Sequence, residues 1–219
     1  MARTLPYLRK TPAQLDDLSI SRATGKKLSF LGYEFEVPWD DVDEGRVRII
    51  GETRVVIGFR SGNALSFWIG PPHHFIDAVA ADGKVDRETL RQVYSDAPLQ
   101  SDYEFQKIML GTTPGAVTPF ISKKQAIGRV TLLVLKGLAA PRTAGSGVFN
   151  VSSDEFKGFQ YGRAEGAPAG VDVELFSDTS SIGLTFARKP GGPVAITQAD
   201  INRVLRTLHR LSSGGRPTE

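Results

Sequence analysis

The stretch "LSFLGYEFEVPWDDVDEG", Leu28 to Gly45, decides how the first half of the chain is read. Its apolar residues change parity, with Leu28 and Phe30 on even positions and Tyr33, Phe35, Val37 and Trp39 on odd ones. Successive side chains of a strand point to opposite faces, so the buried face switches between Phe30 and Tyr33. A β-bulge near Leu31–Gly32 produces such a switch inside one strand, Leu28–Val37, and an interior glycine is a common mark of a bulge. Downstream, "RVRII" puts Arg46 and Arg48 on one face and Val47 and Ile49 on the other. An antiparallel hairpin with Glu36 opposite Arg46 and Glu34 opposite Arg48 matches both faces, each charge pair contributing ~0.2–1 kcal/mol. Asp40, Asp41, Asp43 and Glu44 then form the solvated turn between its strands.

Two sharper readings of the acidic run meet objections in the residues themselves. Asp41, Asp43 and Glu52 fit a calcium-loop template, but Arg46 stands where that template requires glycine, and strands flank it in place of helices. Glu34 and Glu36 lie two apart on one strand face, ~6.6–6.8 Å by strand rise, a separation an inverting glycosidase pair could use. Such a pair needs one carboxyl of raised pKa in a cleft, and nothing flanking them supplies it.

Outward from this stretch the alternation continues through Arg46–Ile50, Arg54–Arg60 and Ala64–Ile69, joined by the hairpin-length "GET" and "SGN". The middle is helical. Asp86 can cap a helix "DRETLRQVYSD", "SDYE" from Ser101 is a capping box for a helix stopping at Gly111, and "SKKQ" from Ser122 opens a segment reaching about Ala139. That last segment is apolar on most faces, which predicts heavy burial, and its "VTLLVL" also fits a strand. Strands return at Val148–Val151, Phe156–Tyr161, Val171–Phe176 and Ser181–Ala187. A final helix begins at a Thr197 cap with Asp200 at N3 and an Ile196/Ile201 staple, its apolar stripe being Ile201, Val204, Leu205, Leu208 and Leu211.

The expected fold class is α+β, a largely antiparallel sheet of about seven to eight strands in two sequence groups, covered by helices. Residues 1–25 read as an extended arm, 26–212 as a single domain and 213–219 as a disordered tail. The order of elements resembles the α/β/α sandwich of PsbP-like proteins and their Ran-binding relatives. That resemblance implies an accessory or binding role; no motif carries it and no residue is transferred by it.

At 219 residues, 40% hydrophobic and 23% charged, the chain builds a core without staples, and the absence of cysteine removes disulfides, thiolate zinc sites and cysteine nucleophiles. The net charge of +3 is spread over Arg3, Arg9 and Lys10, Lys26–Lys27, Lys123–Lys124 and Arg188–Lys189. A nucleic-acid binder gathers its charge into one stripe with interleaved aromatics, so the distribution argues against that partner. The opening residues lack the apolar core of a secretory signal, and the longest apolar run, Val130–Ala140, is about half the ~20 residues a membrane span needs. An anchor upstream of residue 1, the compartment and the oligomeric state are left open.

No dinucleotide or phosphate-binding glycine loop, H-E-x-x-H or nucleophile elbow occurs, and "AGSG" around Ser146 reads as a connector. In "PPHHFID", His73 and Asp77 are four apart and would share a helix face, able to hold a cation or to work as base and orienter, with His74 pointing elsewhere. Zinc asks for three or four protein ligands, so the plainer reading is a turn with partly exposed imidazoles. His209 falls beside the apolar stripe of the final helix, where a cation meets the dipole favourably. Of the aromatics Trp39, Trp68, Phe120 and Tyr161, Trp68 is out of phase with Leu65, Phe67 and Ile69 and so faces the other side of the sheet.

The pocket candidates are therefore Trp68, His73, His74 and Asp77, with no catalytic residue, metal or cofactor assigned. The expected function is a non-catalytic binding or accessory domain that presents a sheet face or loop-rimmed pocket to a protein or small molecule. The alternative is a cation-dependent or acid/base hydrolase using His73, His74 and Asp77.

Overall fold

The structure, a computed structural model, describes residues 5–83, 101–139, 141, 147–166, 170–188 and 194–211. The helix expected at "DRETLRQVYSD" and the tail 213–219 lie outside the described residues.

The opening stretch folds differently from the single bulged strand expected of it. It forms two strands, β2 (Lys26–Phe30) and β3 (Tyr33–Val37), paired antiparallel from Lys26↔Val37 to Phe30↔Tyr33. Between them Leu31 and Gly32 have φ of 55° and 79°. A two-residue connection with both central residues left-handed is the type I′ turn, whose twist matches that of the flanking strands. The parity change is thus a reversal of the chain. β3 pairs on its other side with β11 (His209–Arg210), completing a three-stranded sheet.

With both sides of β3 occupied, the expected ladder with Arg46 and Arg48 does not form. Glu34 meets Lys27 at 2.6 Å and His209 at 3.3 Å, and Glu36 meets Arg203 at 3.0 Å. Asp43 and Glu44 belong to strand β4 (Val42–Ile50), which pairs with β5 (Arg54–Phe59) and shifts register between Val42 and Val47. His209 begins β11; the final helix ends at Thr207, so the expected placement beside its stripe is also corrected.

The large sheet has eight strands in the order β1-β7-β8-β9-β10-β6-β5-β4, where β1 is Ala13–Gln14, β6 Ala64–Gly70, β7 Val148–Ser152, β8 Lys157–Tyr161, β9 Val171–Phe176 and β10 Ser181–Ala187. All its pairings are antiparallel except β1 with β7, and β10 with β6 joins the two sequence groups. The molecule is of the α+β class, with this sheet in the middle. On one face Val55, Ile57, Phe67, Val173 and Leu184 pack against β3 and the C-terminal helix. On the other, Phe159, Tyr161 and Phe176 pack under α1 (Leu5–Leu8), α2 (His74–Gly83), α3 (Asp102–Gly111) and α4 (Lys123–Ala139).

The C-terminal helix, α5 (Gln198–Thr207), opens on the expected box: Asp200 N donates to Thr197 Oγ1 at 3.2 Å and Thr197 N to the Asp200 carboxylate at 2.9 Å. Ser122 and Gln125 close a second box ahead of α4, which is helical throughout. Ser101 makes no side-chain cap bond although α3 starts after it and runs to Gly111 as expected. Asp102 instead accepts from Phe75 N at 3.1 Å, Ile76 N at 3.0 Å and Ser181 Oγ at 2.9 Å, so it caps α2 across space and ties α3 to the sheet.

Residues 5–25, which include α1 and β1, are anchored to the rest of the fold. Tyr7 and Leu15 are buried, β1 pairs with β7, and Asn202 Nδ2 donates to Asp17 O at 2.9 Å and Ser19 O at 2.8 Å. The buried Lys136 of α4 reaches Leu8 O (3.2 Å), Lys10 O (2.6 Å), Leu110 O (2.7 Å) and Thr112 O (2.9 Å). Burial pulls its ammonium down to about 8, and those carbonyls, left over at the ends of α1 and α3, hold the proton against that pull.

Candidate functional site

β9 lies near the middle of the large sheet, so both of its faces are covered by other elements. Val171, Val173 and Leu175 fill the core toward β3 and α5, while Asp172 and Glu174 point to the helical side. The strand registers set a row across that side, Arg54–Trp68–Gly183–Glu174–Phe159, and beside it a second, Ser66–Thr185–Asp172–Tyr161. A polar strip thus runs from Phe159 and Tyr161 on β8 to Arg54 on β5.

Gly183 shapes the first row. The Trp68 indole lies over it so closely that an added Cβ would come within 1.8 Å of Nε1. The indole therefore reaches across β10 toward Glu174. Trp68 also meets the His74 ring edge-on, centroids 5.3 Å apart. Arg54 Nε donates to Ser66 Oγ at 3.0 Å, and Thr185 Oγ1 to Asp172 Oδ1 at 2.8 Å.

Glu174 is the chemically distinctive group. Tyr161 Oη donates to its Oε2 at 3.0 Å, Gln106 Nε2 donates to the same oxygen, and Gln106 Nε2 also donates to Tyr161 Oη at 2.9 Å. Both donors act on Oε2, and the side chain is half-buried. Burial pushes the Glu174 carboxyl up to about 7; the bonds from Gln106 and Tyr161 work against that shift, and the charges of Asp172 and Asp102 add to it. The Tyr161 and Tyr7 hydroxyls are also pushed up, by burial first and then by the Glu174 charge. Two further buried atoms at this network, Tyr7 Oη and Gln106 Oε1, have no hydrogen-bond partner. Unsatisfied buried polar groups cost free energy and are uncommon, so a cluster of them beside a perturbed carboxyl marks a place suited to a polar guest.

The sequence candidates fall around this strip in different settings. Trp68 faces the helical side, as its phase predicts, and is half-buried in the strip. His74 is exposed at the start of α2, its ring packed on Gly70. His73 precedes the helix with φ of 64°, its Nδ1 buried and without a partner, so the helix-face relation expected between it and Asp77 does not arise. Asp77 is exposed on α2, and its amide donates to His73 O at 3.0 Å. Among the described residues no group of three or more His, Asp or Glu could hold a metal ion. Of the other aromatics, Trp39 is buried against Phe59, Tyr161 is the Glu174 donor, and Phe120 is fully exposed.

Glu174, Gln106, Tyr7 and Asp102 were not singled out by the sequence reading. Asp172 and Glu174 alternate with valines as the wet side of any strand does. The signal available was the expected position of β9 between two helix-bearing segments, which puts a polar strand face under a covering layer.

A separate cavity of about 620 Å³ opens where the two sheets diverge, with Leu31, Tyr33, Ile69, Pro71 and Leu211 on its apolar side and Arg210 at its rim. Among the described residues no helix is long and apolar enough to cross a membrane. No family model, curated protein or solved structure matches the chain, and the resemblance in element order to PsbP-like proteins gains no support from them.

Proposed function

We propose that the protein is a non-catalytic binding domain that takes a small polar molecule on the helical side of its large sheet, at Glu174 and Trp68. The observation that carries this reading is the Glu174 carboxyl, held through one oxygen by Tyr161 and Gln106 on the strand beside Gly183, which the Trp68 indole covers. A carboxyl next to an aromatic face suits a ligand that gives a hydrogen bond or positive charge to the first and an alkyl or flat surface to the second. The hydrolase reading on His73, His74 and Asp77 lacks such a convergence: His74 packs on Gly70 and Trp68, and His73 stands outside the helix that carries Asp77.

The test is a titration of the protein with ethanolamine, choline, glycerol and acetate, followed by the indole N–H resonance of Trp68, assigned with Trp68→Phe. Above pH 7, where the raised Glu174 carboxyl is ionised, the expected outcome is a saturable shift for at least one of the hydrogen-bond donors or cations, with affinity reduced about tenfold or more in Glu174→Gln, as loss of a charge-assisted bond predicts. If no compound moves that resonance, or if Glu174→Gln binds as the parent does, the reading is wrong. Hydrolysis of an ester or glycoside probe that disappears in Glu174→Gln would replace it with an acid/base mechanism.

A further inference from the structure

Helix α4 has two apolar faces. Leu132 and Leu135 fill the core beneath it, while Ile127, Val130, Val134 and Leu138 follow the helical repeat along the opposite face and are 50%, 48%, 55% and 52% exposed. Its apolarity on most faces predicted heavy burial; the outward stripe is exposed. Phe120, ahead of the helix, is 97% exposed. Lys123 and Lys124, four and three residues before Ile127, fall at the start of the same face and are exposed.

Charge is distributed unevenly around this stripe. Residues 105–153 contain no Asp or Glu, although the chain as a whole is close to balanced. The first turn of α4 carries two lysines and no acid, opposite to what a helix macrodipole favours, so the dipole and the side chains add to one positive potential. Lys136 and Arg129 are turned to backbone carbonyls, which leaves Lys123 and Lys124 facing outward.

We propose that the outward face of α4, led by Phe120, docks on an anionic lipid bilayer. The helix lies along the surface with Ile127, Val130, Val134 and Leu138 in the headgroup–acyl boundary, Phe120 inserted beside them, and Lys123 and Lys124 on phosphate or carboxylate headgroups. An aliphatic stripe on a convex helix, with an exposed aromatic and a lysine pair at one end, has the chemistry of interfacial binding. A second copy is the poorer occupant, because α4 carries no acid of its own to meet the other copy's Lys123 and Lys124.

Flotation of the whole protein with vesicles of phosphatidylcholine alone, and of phosphatidylcholine mixed with phosphatidylserine, tests this. The expected result is binding about tenfold or more stronger to the anionic vesicles, weakened by salt, since Lys123 and Lys124 are each attracted to such a surface. Val134→Glu and the pair Lys123→Glu, Lys124→Glu should each abolish it while melting at the parent temperature, because all three side chains face outward. Equal binding to both vesicle types, no binding to either, or unchanged binding by Val134→Glu would overturn the proposal. So would a dimer in solution that Val134→Glu dissociates, which would assign the stripe to a second copy.

Discussion

Glu174 sits where a sheet strand is covered on both faces, and its environment favours the neutral acid. Burial is the largest cause, Asp172 and Asp102 add like charge, and the donors Gln106 and Tyr161 oppose; Tyr7 and Tyr161 are the other titratable groups turned to it. Its carboxyl is raised from 4.5 in the unfolded chain to about 7 in the fold. The folded state therefore holds this proton more tightly than the unfolded state. The stability this contributes is full below the unfolded value of 4.5 and is lost as pH rises through about 7. Thermal unfolding followed across that window should show the melting temperature falling with pH, and Glu174→Gln should flatten the fall. An unchanged slope in the variant would place the dependence on another group. None of this was legible from "VDVELF", because alternation reports which residues share a face and says nothing of what covers it.

At the scale of elements, the β2–β3 hairpin shows how one local ambiguity propagates. A bulge and a two-residue reversal both carry the inward face from Phe30 to Tyr33, so the parity of the apolar residues could not separate them. The usual sign of a type I′ turn is Asn-Gly or Asp-Gly, and here leucine occupies the first left-handed position at φ 55°. Reading a bulge left β3 with a free side, which the arginines of β4 then filled; reading a reversal gives that side to β2 and sends β4 to β5. Left-handed leucine costs on the order of 1 kcal/mol, so Leu31→Asn should stabilise the protein by about that amount in urea unfolding. A loss of stability would show that the contacts of Leu31 in its cavity outweigh the backbone strain. The capping boxes at Ser122 and Thr197 were legible because side chain and backbone partners lie within one turn. The box expected at Ser101 did not form, and the neighbouring Asp102, to which the sequence assigned no role, bonds instead to the start of α2.

For the whole molecule, the sequence order of strands, helices, strands and helix correctly implied an antiparallel sheet under helices. The second, smaller sheet was missed, since it needs the last strand of the chain to return beside β3, a pairing no local pattern announces. The exposed stripe of α4 escaped for a related reason: apolarity all round a helix says that each face wants a partner, and only the assembled fold shows which face has one. The two margins of the large sheet follow from the same assembly. One is closed by β1, which pairs in parallel with β7 at Ala13↔Phe149 and Gln14↔Asn150. The other is β4, where the register slips between Val42 and Val47 and Arg46 and Arg48 are exposed, Arg46 reaching back to Phe59 O at 3.0 Å. Ile49 and Ile50 on the same strand are exposed too and would template a further strand if nothing opposed it. The arginines and the slipped register thus act as a guard against runaway polymerisation, a task unrelated to any ligand. Arg46→Ile with Arg48→Ile should convert a clear concentrated solution into one that scatters light and enhances thioflavin T fluorescence, while the parent stays clear under the same conditions.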